Sequence, residues 1–349
     1  MKDGKNVTSL DLALACGVSQ GTVDRALNDR PGIKPETKRR ILEQAEVMGF
    51  RLNLSASSLA TGRNRLIGLV LFDLENRFFA QMANCVTRSA RQAGYHVQLM
   101  LTGKDPIEEQ YCLDQLAGRR VDGVILCTVQ KGEAFVRRLR EARIPVVLTG
   151  NRIPDETTGQ TDPERSIGKD AFPFVGIDDF RAMHDAICEV LARGYRRLVF
   201  LAPSLSRAGK GNLYAQEQRL AGARSAFSEF GLPAGSFRLL DRKPSEKLMN
   251  ACIPGPEPDT VLVCSSDLYA LDMLHLFTKR GFQLPRDLGL LGFDNLDILR
   301  YVSPRPATVD IPMNDLGDAA VRMLLESIGG RTPESLYLPH AMIPGETLR

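Results

Sequence analysis

From Leu66 onward, short apolar runs alternate with stretches whose apolar residues recur at helical spacing, and about half-way along the alternation starts over. The first series reads as strand Leu66–Phe72, helix Phe79–Ala93 ending at Gly94, strand Val97–Leu101, helix Glu108–Leu116, strand Val121–Cys127, helix Ala134–Ala142 and strand Pro145–Thr149. The second reads as strand Phe174–Ile177, helix Arg181–Arg193, strand Leu198–Ala202, helix Glu217–Phe230 and a strand near Phe237–Leu240. Strand Thr260–Cys264, helix Leu268–Lys279 and strand Leu288–Gly292 follow. Strands joined through helices pair in parallel with helices covering both faces, so the pattern predicts two doubly wound parallel sheets. Two open α/β lobes imply a cleft where the C-terminal ends of the strands meet.

The first 50 residues follow a different period. Thr8 with Asp11 makes a capping-box-like start, Leu12, Ala13 and Cys16 share a face, and Gly17 stops the helix. Ser19 caps a second short helix with Val23, Ala26 and Leu27 on one side. After the turn-rich Asn28–Gly32, Pro35 suits a first helical turn, and Ile41, Leu42, Ala45 and Met48 complete a third helix that ends at Gly49. Two helices across a short glycine turn plus a packing helix form a helix-turn-helix pattern. Residues 51–65 are small, polar and basic with isolated leucines, and read as a linker able to become helical. The expected organisation is therefore a small all-α head (1–51), a hinge (52–65), a first α/β lobe (66–170 with 296–325) and a second (171–295 with 326–349).

Charge and composition narrow the function. The chain has 349 residues and a net charge of +3, but residues 1–65 hold 11 Lys and Arg against 7 Asp and Glu. A basic head on a near-neutral body points to a polyanion partner at the N-terminus. No apolar run approaches membrane-spanning length, and the charged N-terminus lacks the apolar core of a secretory signal, so a cytoplasmic protein with no membrane partner is expected. Seven scattered cysteines without C-x-x-C spacing read as reduced, mostly buried thiols, with neither a disulfide framework nor a zinc site. Enzyme signatures are missing: no G-x-G-x-x-G follows a strand, Ala208–Gly211 lacks phosphate-loop spacing, and neither H-E-x-x-H nor G-x-S-x-G occurs. His96, His184, His275 and His340 form no recognisable ligand pair in sequence. No catalytic residue, metal or cofactor is expected.

The segment Gly17-Val18-Ser19-Gln20-Gly21-Thr22-Val23-Asp24-Arg25-Ala26-Leu27-Asn28 resembles the helix-turn-helix of the lactose-repressor/galactose-repressor (LacI/GalR) family of bacterial transcriptional regulators. Pro31-Gly32, Thr37, Arg40, Ala45-Glu46 and Gly49-Phe50 continue the likeness. Further matches are Asn53, Ala56 and Ser58-Leu59, Arg65 with Leu66–Leu69, Asn76 with Phe78-Phe79, Val175–Asp178, Gly194–Arg197, Pro285–Asp287 and Gly292–Asn295. The resemblance implies a type I periplasmic-binding-protein-like body behind a DNA-binding head. Gln20 would read adenine and Arg25 guanine in the major groove, while Thr8, Ser19, Thr22 and Asn28 would touch phosphates. Asn53, Ala56 and Leu59 would lie in the minor groove, with Leu59 as the wedge.

In the cleft, the resemblance implies a sugar-like effector held by Phe78 or Phe79, Arg219, Ser266, Asp267 and Asp294. A helix cap would account for Asp267 equally, and a turn-forming role is the lesser alternative for Asp294. Five positions depart from the family pattern: Gly21 and Asp24 in the reading helix, Leu52 and Ser57 in the hinge, and Gly150 in the cleft. The implied protein is a homodimeric, ligand-responsive regulator, of repressor type, on a roughly palindromic double-stranded operator. The alternatives are an effector that is a nucleoside or a sugar acid, a sensor that has lost DNA binding, and an enzyme on the same lobes.

Overall fold

The computed structural model describes residues 7–27, 29–50, 63–154, 170–202, 205 and 211–349, and divides into two compact units at Asn64/Arg65. The first unit contains α1 (Ser9–Cys16), α2 (Gln20–Leu27) and α3 (Pro35–Val47). The expected capping box is present: the Thr8 hydroxyl accepts from the Asp11 amide at 3.2 Å, and the Asp11 carboxylate accepts from the Thr8 amide at 2.9 Å. Gly17 follows in the left-handed region (φ 63°), a conformation that costs glycine little and lets α2 turn away from α1. Leu12, Ala13, Cys16, Val23, Ala26, Ile41 and Ala45 fill the centre of the three helices. The Arg40 guanidinium donates to the exposed carbonyl of Cys16 at 3.0 Å, satisfying an orphan at the end of α1. The hinge expected at 52–65 lies outside the described residues except for 63–65.

The second unit holds two parallel sheets. The first contains β1 (Leu66–Leu71), β2 (His96–Leu101), β3 (Gly123–Leu126), β4 (Val146–Thr149), β5 (Phe174–Ile177) and β11 (Leu336–Leu338), in the order β11-β5-β4-β3-β1-β2. Helices α4 (Arg77–Gln92), α5 (Pro106–Gly118), α6 (Glu133–Glu141) and α11 (Met313–Ile328) belong to the same lobe. The second sheet runs β7-β6-β8-β9, from β6 (Arg197–Leu201), β7 (Phe237–Leu240), β8 (Thr260–Cys264) and β9 (Gly289–Leu291). Parallel bridges from Leu291 to Ala307 and from Asp294 to Asp310 add β10 (Thr308–Asp310), and β12 (Ala341–Ile343) pairs antiparallel to β10. Its helices are α7 (Asp179–Ala192), α8 (Tyr214–Glu229), the short α9 (Glu246–Cys252) and α10 (Asp267–Lys279).

Lobe membership differs from the reading of the pattern. β5 pairs with β4 through Leu148↔Phe174 and Thr149↔Val175, and β11 pairs with β5, so both lie in the first sheet rather than the second. Residues 307–310, expected in the first lobe, extend the second sheet. The first lobe is thus 66–177 with 313–338, and the second 179–310 with 341–349. A strand buried on both faces carries the same apolar signature in either sheet, and only its pairing partner tells them apart. Among the described residues the chain therefore crosses between lobes three times, after β5, after β10 and after β11.

All seven cysteines are free, five of them buried and Cys188 and Cys252 half-buried. Burial pushes the Cys127 thiol up to about 12, so it behaves as a small apolar group. Among the described residues no helix is long and apolar enough to cross a membrane. Helices α7 and α8 lie against each other, and a Cβ on Gly222 would stand 2.2 Å from the Phe180 carbonyl oxygen. Gly222→Val is expected to force the pair apart and lower stability by about 1–3 kcal/mol. Urea unfolding of the variant against the parent chain checks this, and an unchanged midpoint would refute the close approach.

Candidate functional site

In the head, Ser19 begins α2 by taking the Thr22 amide on its hydroxyl at 3.2 Å, and the two hydroxyls bond to each other at 2.9 Å. Gln20 is exposed, and its amide donates to the Ser9 hydroxyl at 2.8 Å. Arg25 is exposed on α2. Asp24, the departure that places a carboxylate among expected phosphate contacts, pairs with Arg30 at 3.0 Å. Asn28 and the hinge positions Asn53, Ala56 and Leu59 lie outside the described residues.

The second lobe brings Asp179, Arg219 and Asp294 together at strand ends. Asp178 caps α7 by accepting from the Arg181 amide at 3.0 Å, which leaves the next carboxylate, Asp179, to face α8. Arg219 donates through Nε to Asp179 at 2.7 Å and through one terminal nitrogen to the Ser265 carbonyl at 2.7 Å and Asp294 at 3.3 Å. Its guanidinium stacks over Phe293, 3.7 Å from the ring centroid. Asp294 is held in a conformation rare for a side-chain-bearing residue (φ 112°), its amide bonded to the Val309 carbonyl at 2.9 Å. Burial raises the pKa of both aspartates, and Arg219 opposes that rise. Burial likewise disfavours the Arg219 charge, but the two carboxylates outweigh it and hold the guanidinium protonated. At the ends of β4 and β8, the hydroxyls of Thr149 and Ser265 are buried without a hydrogen-bond partner, as is the carbonyl oxygen of Gln216 on α8. Buried polar atoms without partners are rare unless a ligand or water completes them.

Three expected ligand residues have other occupations. Asp267 is fully buried and accepts from the Thr308 hydroxyl at 2.6 Å and the Leu296 amide at 2.8 Å, so it ties the 292–296 turn to α10 instead of facing the cleft. The sequence could not separate these roles, because the partners lie 29 and 41 residues away. Phe78 and Phe79 are both buried in the first-lobe core. They pack edge to face at 5.2 Å, and Phe79 meets Phe72 at 5.1 Å. Ser266 is half-buried at the start of α10, and its side chain makes no cap bond.

Two bridges between lobes had no marker in the sequence. After β4, Asn151 donates to the Asn212 carbonyl at 2.8 Å, and Asn212 donates to the Arg152 carbonyl at 2.8 Å, while the Asn212 amide reaches the Val129 carbonyl. Arg152 beside them is buried, bonded to Asp170 at 2.7 Å and to the Tyr214 hydroxyl at 3.1 Å. The receiving loop after β3 is itself pinned by the buried Glu109, which accepts from the Val129 and Gln130 amides at 2.7 and 3.0 Å. After β1, Arg77 grips Asp297 of the second lobe in a bidentate pair at 2.8 and 2.7 Å. That hydrogen bond lowers the Asp297 pKa. Consecutive aspartates after a strand were the one available signal for Asp179; the asparagine pair is visible only in three dimensions.

Residues 64–345 match the family model described as periplasmic binding proteins and sugar binding domain of LacI family. The chain belongs to the LacI family. It is similar to catabolite control protein A of Priestia megaterium, 29% identical over 345 residues that cover 96% of this chain and 97% of the relative. It is also similar to the HTH-type transcriptional regulator RegA of Clostridium acetobutylicum, 27% identical over 330 residues and 94% of each chain. The fold is shared with the lac repressor dimer bound to operator and the anti-inducer ONPF, with a TM-score of 0.79, 20% identity, and coverage of 98% of this chain and 99% of that one. It is shared too with the CelR–cellobiose complex, with a TM-score of 0.66, 22% identity and coverage of 98% and 100%. The two-lobed body is thus of the periplasmic-binding-protein type, as the family resemblance implied.

In this LacI-family chain, burial raises Asp267 from 3.8 to about 7. An acid whose folded pKa exceeds its unfolded value binds its proton more tightly when folded, so its contribution to stability is lost as pH rises from about 4 to about 7. Asp267→Asn can still pair with the Leu296 amide and the Thr308 hydroxyl. The variant is expected to gain stability relative to the parent chain between pH 5 and pH 7.5, in urea unfolding of both at each pH. An equal difference at the two pH values would show that Asp267 keeps an ordinary pKa.

Proposed function

We propose that the chain is a cytoplasmic, homodimeric regulator of repressor type that binds a roughly palindromic operator and responds to a small, neutral, polyhydroxylated metabolite. The observation that carries the effector reading is Arg219 held between Asp179 and Asp294 and on the Ser265 carbonyl, with the Ser265 hydroxyl itself unpartnered. Carboxylates accept from neighbouring hydroxyls and a guanidinium donates to ring or hydroxyl oxygens, the pairing a sugar satisfies. Two carboxyl groups already occupy the one cation, so the carboxylate of a sugar acid would have to compete with them for Arg219. The CelR–cellobiose complex and the sugar-binding description of the family model support the same class.

Gln20 and Arg25 are the base readers in this reading, with Thr8, Ser19 and Thr22 on phosphates. The Arg30 partner of Asp24 removes the main electrostatic objection to docking α2 in the major groove. Ligand in the cleft would bias the lobes between closed and open arrangements. Opening breaks Arg77–Asp297 and the Asn151–Asn212 exchange, and DNA affinity shifts by the differential binding energy and no more.

Fluorescence anisotropy on fragments of the protein's own upstream region, against scrambled DNA at about 0.15 M salt, tests the regulator. A preference of about 10³ or more is expected, and Arg25→Ala should cost about 1–3 kcal/mol of it. An unchanged operator-to-random ratio would remove Arg25 from the readers. Asp294→Ala is expected to abolish binding of the sugar that releases or tightens the complex while leaving operator binding intact; unaltered sugar affinity would move the site elsewhere.

A further inference from the structure

Helices α7 and α8 carry a second cluster that the cleft does not use. His184 and Cys188 stand one turn apart on α7, and Glu229 closes α8. Their nitrogen, sulfur and oxygen atoms all lie within 4.8 Å of one another. His184 Nε2 is 2.9 and 3.0 Å from the two Glu229 carboxylate oxygens and 4.0 Å from Cys188 Sγ. On its other side, Nδ1 meets Asp185 Oδ1 at 3.1 Å, and Asp185 Oδ2 meets His340 Nε2 at 3.1 Å. The Ser225 hydroxyl donates to Glu229 at 3.0 Å.

A metal-binding histidine is set in the same way: one ring N–H donates to a carboxylate, which fixes the tautomer and aims the other nitrogen's lone pair. Here that nitrogen is aimed at a carboxylate, with a thiol against the same ring. One nitrogen, one sulfur and one oxygen suit a borderline cation of the zinc class, whereas magnesium and calcium take oxygen alone. A thiolate and a carboxylate also balance a divalent charge. Tetrahedral zinc spaces its ligand atoms about 3.3–3.8 Å apart. From 2.9 and 4.0 Å the side chains reach that spacing by small rotations, because the Glu229 side chain is 55% exposed and His184 only half-buried. The helix turn sets the Cys188 thiol 3.9 and 4.0 Å from the two ring nitrogens of His184, and Glu229 closes the triangle from α8.

We propose that His184, Cys188 and Glu229 bind a zinc-class divalent metal, with Asp185 orienting the imidazole and water completing the shell. The metal clamps α7 to α8, the two helices that carry Asp179 and Arg219. Through Asp185 and His340 it also borders the third crossover, between β11 and β12. The proposal is independent of which effector fills the cleft.

The test uses the full chain, stripped with chelator and titrated with cobalt(II), then zinc. One equivalent of cobalt per chain is expected, with a thiolate-to-cobalt charge-transfer band that zinc displaces and that Cys188→Ser abolishes. Asp185→Ala should weaken cobalt binding about 10–100-fold. Glu229→Gln, at an exposed position, should keep the metal-free melting temperature while losing tight binding, which separates ligand loss from misfolding. Absence of the band in the parent chain would overturn the site, as would a band that survives Cys188→Ser and so belongs to another cysteine.

Discussion

A buried guanidinium that must be paired organises the cleft. Arg219 cannot shed its proton, and an unpaired charge at that depth would cost several kcal/mol. Its partners therefore have to arrive from separate parts of the chain: Asp179 from the crossover after β5, the Ser265 carbonyl from the end of β8, and Asp294 from the end of β9. The left-handed backbone at Asp294 and the buried Asp267 strut beneath it follow from the same demand, since both hold the 292–296 turn where its carboxylate meets Arg219. Such a pair adds little net stability over an apolar core. In the proposed sugar site its value would be a fixed array of one donor and two acceptors in a water-poor setting, where hydrogen bonds are strong.

The lobe contacts divide into kinds that respond differently to their surroundings. Arg77–Asp297 is a half-exposed bidentate pair, weakened by salt and water. The Asn151–Asn212 exchange is buried and neutral, so salt leaves it nearly untouched, and breaking it requires water to enter. Both lie at strand ends of the first lobe, β1 and β4, with β3 between them. Closure is then a sum of small, separable terms, as expected of an equilibrium that a metabolite has to shift by a few kcal/mol.

How much was legible in the sequence follows from the range of each interaction. The three head helices, their glycine stop and the Thr8–Asp11 box are contacts within a few residues, and the pattern carried them. Strand and helix positions in the body were equally local. Lobe membership was not: β5 and β11 are buried parallel strands whose sheet is decided by partners far along the chain, so the boundaries at 171 and 326 were misplaced. The site divides in the same way. Arg219 and Asp294 were found through family resemblance and do meet. Asp267, Phe78 and Phe79 were expected in the cleft, and their contacts with Thr308, Leu296 and Phe72 give them supporting and packing roles that no local pattern marks.

The same argument explains why the histidines and cysteines looked inert. A metal motif is recognised in sequence when most ligands fall within a few residues, as in C-x-x-C or H-E-x-x-H. His184 and Cys188 have that spacing, but their third member lies 45 residues from His184 on the next helix. Only the side-by-side packing of α7 and α8, enforced where Gly222 admits the Phe180 carbonyl, closes the set. One helix pair thus holds two polar clusters, with Asp179 and Arg219 near the cleft and His184, Cys188 and Glu229 further along. Binding at either end acts on the pairing of the same two helices, and whatever free energy couples the ends must act equally in both directions.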